Sequence, residues 1–160
     1  MTVTIRPAMP GDAATVLRFV KELAAYERAP DAVVATEAMM DEALFGARPA
    51  AEALIAEIAG KAVGFALFFH NFSTWTGRRG LWLEDVYVTP EARGTGVGGK
   101  LLRRLAQIAR ERDCARLEWW VLDWNAPAID FYDSLEAETM DQWTVRRLSG
   151  ATLGALAERA

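Results

Sequence analysis

The chain has 160 residues, 52% hydrophobic and 25% charged, the profile of a soluble globular protein with material for one domain over residues 1–160. A net charge of −4 speaks against a nucleic-acid surface, which carries a basic excess. One cysteine, Cys114, and one histidine, His70, exclude an internal disulfide and leave too few ligands for a zinc site, so no metal is expected.

The opening MTVTIRPAMPGDAA has no apolar leader segment, and the longest apolar run, 62–69, includes a glycine and is far too short to span a bilayer. A cytoplasmic location without a membrane partner is the expectation. TVTIRPA alternates as a short strand stopped by Pro7 and Pro10. Asp12 is placed to cap a helix with Val16, Leu17, Val20, Leu23 and Ala24 on one stripe, and Thr36 to cap a second through Met39, Met40, Ala43 and Leu44. AEALIAEI (51–58) and KAVGFALFFH (61–70) read as strands joined at Ala59-Gly60, a hairpin. Residues 71–80 read as a loop rich in aromatic and polar side chains, and His70 and Trp75 are candidates to line a substrate pocket.

LWLEDVYV (81–88) is the clearest strand, stopped by Thr89-Pro90. Val97, Leu101, Leu105 and Ile108 follow at helical spacing. LEWWVL (117–122) reads as a strand, and Asn125 as the cap of a helix through Ile129, Phe131 and Tyr132. TVRRL (144–148) is predicted to close the sheet before a final helix after Ser149. Early strands joined by turns and later ones by helices predict an α/β (α+β) fold, a mixed sheet covered by helices.

Between 88 and 101 the strand runs into RGTGVGGKL, which three phosphate-binding patterns can claim. The nucleoside-triphosphate loop needs Ser or Thr after its lysine, and here Leu101 follows Lys100. The dinucleotide fingerprint belongs in the first βαβ unit; this one begins after residue 90 and leaves too little chain. The R-x-x-G-x-G pattern fits. Its glycines bring backbone N–H groups close to a diphosphate, the helix from Val97 adds its positive end, and Arg93 and Lys100 add charge. A glycine-rich turn without ligand is the plain alternative, disfavoured by the backbone entropy that four glycines lose.

RPAMPGD, VKELAAYE, VGFALFF, LWLEDVYV, RGTGVG and DWNAPAIDFY occur in that order. Together they resemble the GCN5-related N-acetyltransferases, and within them the diamine (spermidine/spermine) and thialysine N-acetyltransferases, over nearly the whole chain. The resemblance implies a mixed, mostly antiparallel sheet whose fourth and fifth strands splay to admit the pantetheine arm of acetyl-CoA. It implies that the backbone at Val86 and Val88 pairs with that arm, and that Arg93, Gly94, Gly96, Val97 and Gly98 hold the pyrophosphate. It further implies that Asn125 contacts the pantetheine, Tyr132 protonates the departing thiolate, and Glu84 helps remove the amine proton. Glu27 and Asp85 would attract a cationic substrate, and the chain would form a homodimer.

Read without the resemblance, Glu84 and Asp85 are adjacent in a strand, so their side chains are expected on opposite faces, Glu84 with Trp82, Val86 and Val88, Asp85 with Leu83 and Tyr87. Helices on both faces would bury one carboxylate and raise its pKa; a local bulge would leave both solvated. Tyr132 alone would be ordinary core, Asn125 an ordinary cap and Glu27 an ordinary helix-end charge. Direct transfer to an amine needs no nucleophilic residue, consistent with the lack of a Cys–His pair. Where many relatives have F-Y-x-x-x-G-A, this chain has Phe131-Tyr132-Asp133-Ser134-Leu135-Glu136-Ala137. Glu136 in the glycine position implies a longer helix or a strained turn, and Asp133 removes a phosphate contact. The expected activity is acetyl transfer to a primary amine of a small cationic substrate, a diamine, polyamine or thialysine-like amino acid. A protein or peptide N-acetyltransferase and a non-catalytic acyl-CoA sensor are the alternatives, and Arg78 or Arg79 are candidates to meet an amino-acid carboxylate.

Overall fold

The computed structural model describes residues 2–159, which form two compact units, Met1–Leu122 and Asp123–Ala160. The first is a five-stranded sheet of β1 (Val3–Pro7), β2 (Glu52–Ile58), β3 (Lys61–Ser73), β4 (Arg78–Val88) and β5 (Leu117–Glu118), in that spatial order. The first four pair antiparallel and β5 joins β4 in parallel, so the sheet is mixed and mostly antiparallel. Helices α1 (Ala13–Tyr26), α2 (Glu37–Phe45) and α3 (Val97–Glu111) belong to the same unit. The β2–β3 hairpin turns through Ala59 and Gly60 with φ of 51° and 75°, the paired left-handed residues of a tight two-residue turn.

Alternation along the strands builds two apolar layers. Ala53, Ile55, Phe65, Leu67 and Tyr87 pack with Val16 and Phe19 of α1. Phe19, outside the stripe expected for this helix, is fully buried and stacks on Phe65 at 5.5 Å. The other face meets α3, whose Val97, Leu101, Leu105 and Ile108 are buried as their spacing predicts. At helix starts the two expected caps diverge. Thr36 accepts the Met39 N–H at 3.2 Å. The Asp12 carboxylate makes no capping bond to its helix; it turns back to the Met9 N–H and to the Arg6 guanidinium, the stronger, charge-assisted partner.

Two strand expectations are corrected. LEWWVL contributes only Leu117 and Glu118 to the sheet. TVRRL is not a strand; residues 144–148 are exposed, and the second unit has no strand among its described residues to pair with them. Alternation makes a segment suitable for a sheet, but backbone pairing makes it a strand. The second unit consists of α4 (Ala126–Ser134), α5 (Gly150–Ala157) and their connection.

Candidate active site

β4 is the spine of the site. Thr89 donates its N–H to the Val63 carbonyl at 2.8 Å, which makes Phe65 and Tyr87 the hydrogen-bonded pair of the β3–β4 ladder. The N–H and C=O of Val86 and Val88 therefore point away from β3. β5 pairs with β4 only at Leu81 and Trp82, so β4 continues for six residues along this edge without a strand partner. That is the splay between the fourth and fifth strands.

The register against β3 slips between Leu67 and Phe68: Leu67 faces Asp85, but Phe68 faces Leu83. Glu84 is the extra residue of a β-bulge. Leu83 and Asp85 consequently lie on opposite faces, not on one as regular alternation predicts, and Asp85 joins the α1 face with Leu67 and Tyr87. Glu84 is exposed and its Oε2 accepts the Trp82 indole N–H at 2.9 Å. Asp85 is half-buried, and its carboxyl is pushed up to about 6 by burial, with the charges of Glu84 and Glu27 adding to the rise. Burial also raises Glu27, at the C-terminal cap of α1. Glu27 and Asp85 thus share one electrostatic neighbourhood on the α1 face.

β4 ends at Val88 and a single turn, Pro90–Ala92, leads into the glycine loop. Gly94 and Gly96 have φ of +75° and +83°, a left-handed conformation that a side chain strains, and neither has protein within 4 Å of where a Cβ would stand. Gly96 is the N-cap of α3, whose first turn holds Val97, Gly98, Gly99 and Lys100 and no acidic residue. N–H groups without intrahelical partners, open glycine backbone and the positive helix end suit a diphosphate. Arg93 is engaged: its Nε donates to the outward Val88 carbonyl at 3.0 Å, and its guanidinium lies 5.0 Å from the Tyr26 ring centroid and 5.6 Å from that of Tyr87. Nothing in the loop pattern signals these ring contacts.

In the second unit Asn125 is the N-cap residue of α4, without a side-chain capping bond, and Tyr132 lies in its last turn beside Phe131, ring centroids 5.6 Å apart. Leu135 is the C-cap of the helix, and Glu136 takes a left-handed φ of 60°. Glu136 N–H bonds to the Asp133 carbonyl at 2.9 Å and Ala137 N–H to that of Tyr132 at 3.2 Å, a Schellman closure built on a glutamate. Of the two outcomes expected for Glu136, the strained turn is the one observed.

The acetyltransferase (GNAT) family model matches residues 19–136. The chain belongs to this family. It is 37% identical to the thialysine N-epsilon-acetyltransferase of Bos taurus, covering 97% of each chain, and 38% identical to the human spermidine/spermine N(1)-acetyltransferase-like protein 1 over 91% of this chain and 22% of that one. Among solved structures, the integron cassette protein VCH_CASS6 from the mobile metagenome of V. cholerae superposes with a TM-score of 0.83 at 27% identity over 99% of both chains.

A GNAT enzyme moves an acetyl group from acetyl-CoA to an amine, and the residues here suit that donor: a strand edge with no strand paired against it for an amide-bearing arm, then open glycines at a helix N-terminus for a diphosphate. Among the described residues, no group of three or more His, Cys, Asp or Glu is arranged to hold a metal ion and no helix is long and apolar enough to cross a membrane. His70 and Trp75 have different surroundings. Trp75 is exposed at the β3–β4 connection, whereas His70 lies 3.4 Å from Arg112, which holds Glu52 through two hydrogen bonds of 2.5 and 2.8 Å. Burial and the charges of Arg79 and Arg112 lower His70. Arg78 pairs with Asp113 at 2.8 Å.

Proposed function

We propose that this GNAT enzyme acetylates a primary amine of a small cationic substrate, a diamine, polyamine or thialysine-like amino acid, by direct attack in a ternary complex. The observation that carries this reading is the bulge in β4, which sets Glu84 in solvent and Asp85 on the α1 face with Glu27, beside an unpaired strand edge. The names of the relatives, a thialysine N-epsilon-acetyltransferase and a spermidine/spermine N(1)-acetyltransferase-like protein, support the same substrate class.

In this reading the backbone of Val86 and Val88 holds the pantetheine arm; the family resemblance assigns a pantetheine contact to Asn125 as well. Arg93, Gly94, Gly96, Val97, Gly98 and Lys100 hold the pyrophosphate. Acetyl-CoA supplies an activated thioester. Asp85 and Glu27 attract the ammonium, whose pKa of roughly 10 keeps it protonated in water. Glu84 accepts one ammonium proton through a water, the free amine forms the new C–N bond as the C–S bond breaks, and Tyr132 gives its proton to the departing sulfur; the second proton of the acylated nitrogen leaves to solvent, from which Tyr132 is reprotonated. Arg78 and Arg79 are poor partners for an amino-acid carboxylate: Arg78 is bound to Asp113, and Arg79 lies six residues, about 20 Å of strand, from Asp85. The chain also leaves Trp143, Val145, Leu148, Leu153 and Leu156 of its second unit exposed, surface that a second copy would cover in a homodimer.

The test is CoA-thiol release from acetyl-CoA against spermidine, putrescine, thialysine, lysine and a short peptide. Turnover with one small amine is expected, and Glu84→Gln should lower kcat by roughly 10²–10⁴-fold while acetyl-CoA still binds; Tyr132→Phe should likewise lower kcat and spare binding. Turnover with the peptide alone would replace the small-amine reading by a protein acetyltransferase. Binding of acetyl-CoA with no turnover on any amine would favour a sensor.

A further inference from the structure

The bulge leaves Glu84 with a solvent-facing side chain, and a free glutamate on a strand samples several rotamers. Here one oxygen is held. The Trp82 indole N–H donates to Glu84 Oε2 at 2.9 Å, and an indole nitrogen only donates, so it never competes for the proton that the carboxylate must take. Trp82 is in turn braced. Its ring meets Trp120 edge to face, centroids 5.1 Å apart and planes at 83°, the favourable arrangement of two aromatic quadrupoles. Trp82 is the last β4 residue paired with β5, opposite Glu118, so Trp120 stands two residues beyond that pair, where the two strands part. Trp120 is 61% exposed, a large apolar surface that the packing of the sheet alone does not require.

We infer that Trp82 is a positioning residue for proton removal: it fixes Glu84 through Oε2 so that Oε1 faces the amine, and Trp120 braces Trp82. The inference rests on the reading of Glu84 as the proton acceptor. A charge-assisted N–H bond is stronger than a neutral one and orients as well as holds. Regular strand alternation sets positions 82 and 84 on one face but cannot say that they bond; in the folded chain the indole N–H reaches Glu84 Oε2.

The experiment is a double-mutant cycle with Trp82→Phe, Glu84→Gln and the pair, measured as kcat and amine KM at saturating acetyl-CoA, with acetyl-CoA affinity by calorimetry. Phenylalanine keeps a ring against Trp120 and removes only the donor. Trp82→Phe is expected to lower kcat about tenfold, the size of one lost bond to a charged group, with acetyl-CoA affinity unchanged and amine KM within about twofold. In the Glu84→Gln background the same change should cost less than about twofold, because the group it positions is gone. A full tenfold loss in that background, or wild-type kcat in Trp82→Phe, overturns the inference while leaving Glu84 as the acceptor. Wild-type kcat in Glu84→Gln alone overturns the reading beneath it. Should Trp82→Phe fail to fold by circular dichroism, Trp120→Leu and Trp120→Phe decide. Leucine removes the brace and should lower kcat about threefold, phenylalanine should restore it, and equal activity of both with wild type overturns the inference.

Discussion

Glu84 and Asp85 are neighbours in the chain and live in different media. One is exposed and hydrogen-bonded to an indole; the other is half-buried on the α1 face, its carboxyl raised to about 6 beside Glu27. A regular strand would divide them by sending them to opposite faces. The bulge divides them by solvent instead, bringing both within electrostatic reach while only one loses its water. Unequal burial leaves one carboxylate open to solvent and hydrogen-bonded, and the other a group that gains by meeting a cation. The buried partner carries a stability cost that the exposed one does not.

That cost is the largest effect the comparison predicts. Asp85 in the folded chain keeps a proton that the unfolded chain, with an ordinary aspartate near 4, has already released. Between roughly pH 4 and 6 the native state therefore binds more protons than the unfolded state, so this group's contribution falls as pH rises, and the full cost is present at pH 7. Two pH units correspond to about 3 kcal/mol. Asp85→Asn should raise stability at pH 7 by an amount approaching that, in urea unfolding, and the difference from wild type should vanish near pH 4. Equal stability of the two proteins at pH 7 would break the contrast. A cationic amine binding beside Asp85 should have the linked effect: calorimetry near pH 6 in buffers of different ionisation enthalpy should register proton release that Asp85→Asn lacks.

A smaller effect comes from carboxylates whose cost is backbone geometry rather than burial. Glu136 closes α4 with φ of 60°, where glycine is at ease and other residues are strained by roughly 1–2 kcal/mol. Glu136→Gly should raise stability by about 1 kcal/mol with no dependence on pH. The lack of pH dependence is what separates it from Asp85→Asn. The glycine loop gives the mirror case. Gly96→Ala, at φ +83°, should cost about 1 kcal/mol and weaken acetyl-CoA binding, whereas Gly99→Ala, inside α3 with open space around it, should stabilise by a similar amount.

These residues also show which parts of the molecule could be read from the chain. The loop after β4 was legible because left-handed backbone at Gly94 and Gly96 demands glycine, and the demand is written in residue types. The hairpin at Ala59-Gly60 and the stripe of α3 were legible for the same kind of reason, a local geometry with a local signature. The bulge was legible only as an alternative, since LWLEDVYV reads as an unbroken strand and the slip at Glu84 exists only against β3. Trp82 meeting Glu84, and Arg93 lying on Tyr26 and Tyr87, are likewise tertiary facts without a spacing rule. TVRRL misled in the opposite direction, since strand-like alternation says nothing of whether a partner edge is available.

The smallest predicted effect is the most exacting for the contrast. Glu84→Gln should leave stability within about 0.5 kcal/mol at pH 7, as exposed substitutions generally do, although the same variant is expected to lose most of its turnover. The amide oxygen of glutamine still accepts the Trp82 N–H, so geometry is kept while the charge is removed. What should change is the neighbour. The Glu84 charge contributes to the raised carboxyl of Asp85, so in Glu84→Gln the pH window in which Asp85 costs stability should contract toward lower pH. Comparing Asp85→Asn in the two backgrounds measures this directly: its gain at pH 7 should be smaller when Glu84 is already Gln. An identical gain in both would mean that the two carboxylates are independent, and that burial and Glu27, without Glu84, set the state of Asp85.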